Sequence, residues 1–275
     1  MTGAASLPPI LLVGCGRMGG ALLSGWLEQG LTRAVVVEPH AAAAEALAAQ
    51  SAGRVRVVPD ADSIPAGFAP EAVVLAIKPQ EAANTVPHYA ALSSGVVTLS
   101  IMAGRTIGGL HRLLGEARAV VRAMPNTPAA VRQGFTVACA GEGVTAGQRA
   151  LCDALLGAVG EVAWVEDEAL LDPVTAVSGG GPAYVFLLVE LLQRAAEKLG
   201  IPPDLARSMA RSTVAGSGAL LAVSRGEAAE LRQAVTSPKG TTERALAVLM
   251  AEEAWPALVD RAMAAATDRS RELAE

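Results

Sequence analysis

Short apolar runs separated by turn residues recur through the first half of the chain: Ile10–Val13, Ala34–Val37, Val55–Val58, Ala72–Ile77, Val96–Ser100 and Ala119–Met124. Each is too short for a helix and almost without polar positions, as expected of a strand buried on both faces of a parallel sheet. Between them apolar residues recur at helical spacing, which predicts helices over Arg17–Gln29, Ala41–Gln50, Pro79–Ala91 and Ile107–Leu114. Strand and helix alternate with short connections, so the expected architecture is α/β, a doubly wound parallel sheet. A later pair, Phe135–Ala140 and Val162–Val165, flanks a helical pattern over Ala146–Val159 and reads as a hairpin-like closure of the sheet edge.

After Glu166-Asp167-Glu168 the pattern changes to long helices. Pro182 suits a first helical position, Gly200 a C-terminal stop, and Ile201-Pro202-Pro203-Asp204 a break before the next helix, Leu205 to about Val223. Helices over Glu243–Ala251 and Trp255–Ala274 complete the chain. The division expected is residues 1–166 and 167–275. A helical half this apolar would leave large exposed patches on a monomer, which predicts a homodimer formed through it.

The first strand runs into Gly14-Cys15-Gly16-Arg17-Met18-Gly19, a G-x-G-x-x-G turn that opens the first helix. Strand, glycine turn and helix are the context that a dinucleotide-binding, Rossmann-type domain requires: the glycines let the pyrophosphate approach backbone N–H groups at the helix start. The second strand ends in Glu38, nineteen residues after Gly19. A carboxylate there can accept from both ribose hydroxyls of NAD and repels the 2′-phosphate of NADP, which leans the expected cofactor toward NADH.

Composition narrows the function further. The 275 residues carry a formal net charge of −5, which argues against nucleic acid or an anionic membrane as principal partner. Cys15, Cys139 and Cys152 show no C-x-x-C spacing and fit a reducing cytoplasm. Residues Met1 to Pro9 read as a disordered leader, and the longest nearly apolar helical stretch, Ala183–Leu192, is too short to span a bilayer. His40, His88 and His111 stand apart from other ligand types, so no metal site is expected.

Loops after strands four, five and six fall where ligands bind in open parallel sheets: Ala76-Ile77-Lys78-Pro79, Ser100-Ile101-Met102-Ala103-Gly104 and Met124-Pro125-Asn126-Thr127-Pro128. Lys78 suits a phosphate or ribose, and Asn126 an amide or water. Near the other end, Val235-Thr236-Ser237-Pro238-Lys239-Gly240-Thr241-Thr242 sets hydroxyls beside the free N–H groups of a helix start, a seat for a small carboxylate or phosphate.

Together these motifs resemble the pyrroline-5-carboxylate reductase family of proline biosynthesis over nearly the whole chain. The resemblance rests on Gly14–Gly19 with Met18, Ile77-Lys78-Pro79, Ala103-Gly104, Arg122 through Pro128, Ser178-Gly179-Gly180-Gly181-Pro182-Ala183-Tyr184, and Leu231 through Thr242. It implies reduction of 1-pyrroline-5-carboxylate to L-proline with NADPH or NADH. The cofactor would lie against Gly14, Cys15, Gly16, Arg17, Met18, Gly19, Glu38, Ala76, Ile77, Lys78, Pro79, Ala103, Gly104 and Asn126. The substrate carboxylate would sit on Ser237, Gly240, Thr241 and Thr242, with Thr242 bonded to the ring nitrogen as the catalytic residue. It further implies an interlocked dimer in which one subunit's cofactor domain meets the partner's helical loop, a homodimer that higher oligomers can extend. The chain departs from the family pattern at Lys239 and Gly180, where Gly and Ser are usual, at Glu38, and in a short Gly226–Glu230 segment without the usual His-Pro. Two other readings stand beside this one: another cyclic imine reductase or hydroxy-acid dehydrogenase, and a non-catalytic dinucleotide-binding regulator.

Overall fold

The computed structural model describes residues 7–50, 53–115 and 118–274. The chain divides into two compact units, one running to Gly179 and regaining the stretch from Ala266 onward, the other spanning Gly180–Ala265.

The first unit is built on eight strands: β1 (Ile10–Val13), β2 (Ala34–Val37), β3 (Val55–Val58), β4 (Ala72–Leu75), β5 (Val97–Ser100), β6 (Ala119–Met124), β7 (Gly134–Ala140) and β8 (Gly160–Val165). They lie side by side in the order β3-β2-β1-β4-β5-β6-β7-β8. Every pairing is parallel except β6 with β7. The four residues of β1 are all buried, with Ile10 and Leu12 in one apolar cluster and Leu11 and Val13 in the other. That double burial is why the strands read as apolar runs rather than alternating ones. Strand order reverses between β2-β1 and β1-β4, and the crevice at such a switch point is where α/β sheets take ligands.

Helices α1 (Arg17–Glu28), α2 (Ala41–Gln50), α3 (Ala82–Thr85), α4 (Ile107–Leu114) and α5 (Ala146–Gly157) belong to this unit, as does the short α6 (Leu171–Val174). Trp26 is fully buried and fixes α1 to α5 by donating Nε1–H to the Leu155 carbonyl at 2.7 Å.

Several expectations need correction. The stretch expected as one helix from Pro79 to Ala91 is a 3-10 turn (Pro79–Glu81), α3, then a second 3-10 turn (Val86–Tyr89). Pro87 has no N–H for a continuing α-helical bond, which breaks the element there. Strands β7 and β8 do not form a hairpin: they are parallel and joined by α5, the crossover that parallel neighbours require. Of the expected leader, residues 1–6 lie outside the described residues, but Leu7 is buried in the core cluster that holds Ile10 and Trp26. The apolar helix expected over Ala183–Leu192 is longer than its sequence pattern implied, because Thr175–Gly179 winds as a π-helix that runs on into α7 (Gly181–Lys198). Helical character is thereby continuous over Glu168–Lys198, long and apolar enough by length and composition to cross a membrane. Length therefore does not exclude a span, as the shorter expected helix had done.

The second unit contains α7, α8 (Pro203–Val223), α9 (Ala228–Ala234), α10 (Thr241–Leu249) and most of α11 (Trp255–Glu272). Helices α7 and α8 pack along each other. Little of their apolar surface is covered: α7 has no buried residue and α8 only Ala206 and Ala210. Phe186, Leu187, Leu191, Leu220 and Leu221 stand exposed.

Candidate functional site: a dinucleotide cleft and a polar helix start

A cleft of about 450 Å³ opens at the carboxyl ends of β1, β2, β3 and β4. It is lined by Gly14, Cys15 and Gly16 from the turn after β1, by Glu38 and His40 after β2, and by Ala76, Ile77 and Lys78 after β4. The turn needs its glycines. Gly14 has φ +87, and a Cβ there would lie 2.8 Å from the Ala76 carbonyl oxygen; a Cβ on Gly19 would lie 2.4 Å from the carbonyl oxygen of Gly14. Gly16 is the residue that caps α1, no side chain caps that helix, and the first turn has no acidic residue. A Cβ on Gly16 would meet nothing within 4 Å, so the approach to these N–H groups is open. A helix start with no side-chain cap and no acidic residue in its own first turn fits a pyrophosphate.

Glu38 is only 7% exposed, yet it is well partnered. Its Oε2 accepts from the Cys15 N–H at 3.1 Å, and its Oε1 accepts from the His40 N–H at 3.0 Å and meets His40 Nδ1 at 2.8 Å. Burial pushes the carboxyl pKa up, but the hydrogen bonds from His40 and Cys15 outweigh it and hold the group below its ordinary value. It is thus a fixed carboxylate in the cleft, just after β2. The thiol of Cys15 is pushed up to about 12 by burial and by Glu38, which leaves it a neutral wall of the site.

The remaining residues named from sequence are placed as follows. Arg17 is exposed, Met18 packs against the core, and neither lines the cleft; nor do Gly19 and Pro79. Gly104 (φ +71) is pressed against the Leu273 backbone, 2.8 Å from a Cβ built there, while Ala103 beside it is exposed. Asn126 is engaged at both ends of its amide: Oδ1 accepts from the Phe135 N–H at 2.9 Å and Nδ2 donates to Ser178 Oγ at 3.2 Å. The loop after β6 is thereby tied to the π-helix. Sequence reasoning missed the acidic lining from Asp60 and Asp62, which follow β3, and from Glu81. The rule used for the other loops, strand carboxyl ends near the switch point, applies to Asp60 and Asp62 as well.

In the second unit, Ser237–Thr242 forms a tight turn in which the Gly240 N–H donates to the Ser237 carbonyl at 3.0 Å. Gly240 caps α10 and no side chain caps the helix, so Thr241 and Thr242 occupy its first turn without serving as caps. Ser237, Thr241 and Thr242 are exposed. Three hydroxyls and the first N–H groups of a nine-residue helix are thus presented together.

A strand, a glycine turn and an uncapped helix at the switch point of a largely parallel sheet define a dinucleotide-binding oxidoreductase domain. Residues 9–104 match the family described as NADP oxidoreductase, coenzyme F420-dependent, and residues 168–273 match the family described as pyrroline-5-carboxylate reductase dimerisation. The chain is 40% identical over 278 aligned positions to pyrroline-5-carboxylate reductase of Pseudomonas aeruginosa, covering 98% of each. It is similar in structure to a pyrroline-5-carboxylate reductase from Coxiella burnetii, with TM-score 0.90 and 32% identity over 98% of this chain and 99% of that one. It also shares its fold with the Plasmodium falciparum pyrroline carboxylate reductase crystallised with NADP, at TM-score 0.81 and 24% identity over 98% and 99% of the two chains. The chain belongs to the pyrroline-5-carboxylate reductase family.

Proposed function

We propose that this protein reduces 1-pyrroline-5-carboxylate to L-proline, the last step of proline biosynthesis, as a homodimer in the cytoplasm. The observation that carries the reading, beyond membership of the family, is the Ser237–Thr242 turn: a helix start left uncapped, with hydroxyls in its first turn. Ser237 and the N–H groups of Thr241 and Thr242 hold the substrate carboxylate, and Gly240 lets the backbone come close to it. The Thr242 hydroxyl accepts from the ring N–H of the protonated imine and fixes the face presented for reduction. Bound NADH or NADPH supplies hydride to C5 of the ring, and the electron pair of the C=N bond goes to nitrogen. Because a protonated imine is already a good hydride acceptor, positioning accounts for most of the catalysis.

The uncapped start of α1 holds the pyrophosphate and Glu38 accepts from an adenosine ribose hydroxyl, which favours NADH over NADPH. The exposed apolar faces of α7 and α8 become the dimer interface, so the apolar run Glu168–Lys198 is covered by protein rather than lipid. The hydroxy-acid dehydrogenase alternative wants a lysine base, but Lys198 ends α7 and Lys239 lies in a tight turn, both exposed.

Oxidation of NADH and of NADPH, each with pyrroline-5-carboxylate as acceptor and proline identified as product, tests the proposal. Turnover with proline formed establishes it. A folded protein that binds dinucleotide without imine-dependent oxidation overturns it in favour of the regulatory reading.

A further inference from the structure

A glutamate side chain has rotatable bonds enough to swing out of a 2′-phosphate's way, and one that swings discriminates weakly. In this chain Glu38 is not free to do so. An ionised carboxylate offers about four acceptor positions. Three are taken, by Cys15 N–H on Oε2 and by His40 N–H and Nδ1 on Oε1. One remains on Oε2.

The unusual partner is His40. Its ring is 84% exposed, a situation in which a side chain ordinarily samples several rotamers, yet Nδ1 stands 2.8 Å from Glu38 Oε1. Since an ionised carboxylate only accepts, Nδ1 carries the proton. The backbone N–H of the same residue meets the same oxygen, so His40 grips Oε1 from two sides. The surroundings make this grip consequential. Asp60, Asp62 and Glu81 line the same cleft, and Lys78 is the one lysine or arginine among its lining residues. If Glu38 moved aside, Lys78 and His40 itself would be the groups available to a 2′-phosphate.

We propose that His40 is the positioning residue that sets this enzyme's dinucleotide preference, by locking Glu38 so that its one open position, on Oε2, accepts from a ribose hydroxyl and the adenosine end is denied to a 2′-phosphate. The assignment rests on the reading of Glu38 given above. Loss of the ring frees Oε1 on one side, lets the carboxylate rotate toward solvent, weakens the ribose bonds and removes much of the repulsion that excludes NADPH. Asparagine at the same position keeps a donor, since its Nδ2 falls close to where Nδ1 of histidine lies.

The test is a set of equilibrium titrations of NADH and NADPH, followed by cofactor fluorescence, with steady-state kinetics run in parallel on wild type, His40→Ala, His40→Asn and Glu38→Ser. In His40→Ala the ratio of NADPH to NADH dissociation constants is expected to fall about tenfold, the scale of one hydrogen bond to a charged group. KM for NADH should rise with kcat little changed, and His40→Asn should keep the wild-type ratio within about twofold. If Glu38→Ser shifts the ratio and His40→Ala does not, the proposal is wrong and the reading of Glu38 stands. If neither shifts it, both fall. Equal loss of preference in the Ala and Asn variants also overturns the proposal, because the bond to Oε1 would then be irrelevant.

Discussion

Glu243 Oε2 accepts a hydrogen bond of 2.7 Å from the backbone N–H of Lys239, closing the turn that opens α10. Lys239 has φ 61, in the left-handed region where glycine is favoured, so the bond helps hold a conformation its side chain resists. The cost is a negative charge in the first turn of the helix proposed to seat an anionic substrate. Glu243→Gln keeps an acceptor and removes that charge. Its KM for pyrroline-5-carboxylate should fall about two- to fivefold at low ionic strength, and the gain should shrink in ~0.5 M salt. An unchanged KM at both ionic strengths would separate Glu243 from the substrate.

Thr242→Ala removes a hydroxyl from the same turn without touching the backbone N–H groups. Steady-state kinetics should show kcat/KM lower by at least about tenfold, near the value of one hydrogen bond. Thr242→Ser, which retains the hydroxyl, should recover most of it. Equal activity in all three proteins would remove Thr242 from the mechanism.

Glu38 makes stability depend on acid. Its native pKa lies below the ordinary 4.5 because His40 and Cys15 bond the ionised form. A depressed carboxyl contributes stability that is complete above the unfolded pKa and is lost as pH falls through the native one. Urea unfolding of wild type and Glu38→Gln should therefore differ most above the ordinary carboxyl value of 4.5 and converge as the pH falls below it. A difference that stays constant across that window would mean that Glu38 is not held by these bonds.

Arg122 is 4% exposed, and its Nη1 donates to Glu168 Oε1 at 2.9 Å. The same oxygen accepts from the Ile107 N–H at 2.8 Å, at the start of α4. Glu168→Ala would leave a buried guanidinium without this partner, and denaturant melts should show a loss of about 3 kcal/mol. Glu168→Gln, still an acceptor, should lose less. Loss of under about 0.5 kcal/mol in the Ala variant would show that solvent replaces the bond.

Much of the fold was legible because its strands are buried on both faces. Runs such as Leu11-Leu12-Val13 and Val35-Val36-Val37 admit few other readings, and the glycine turn between β1 and α1 announces itself. What escaped depends on partners remote in sequence. Nothing in Val162–Val165 says whether it runs with or against β7; the length of α5 decides that. The π-helix at Thr175–Gly179 adds a residue per turn where Pro173 before it and Gly179 to Pro182 after it would suggest a break in the helix. Asp60 and Asp62 look like ordinary turn residues until β3 takes its place beside β2. His40 reads as a loop histidine because its meaning lies in one hydrogen bond, to an oxygen of Glu38.

The return of the chain from Ala266 onward to the first unit has a consequence for biosynthesis. Ser270 Oγ donates to the buried Asp172 Oδ1 at 2.7 Å, and the Leu273 backbone lies close against Gly104. These contacts are with residues translated before the whole second unit. A ribosome must therefore finish the helical region before the nucleotide domain can close its last seam. Until then the nascent domain waits with Asp172 and Gly104 uncovered, and a ribosome-stalled chain cut short of residue 266 should be cleaved by protease more readily than the full chain.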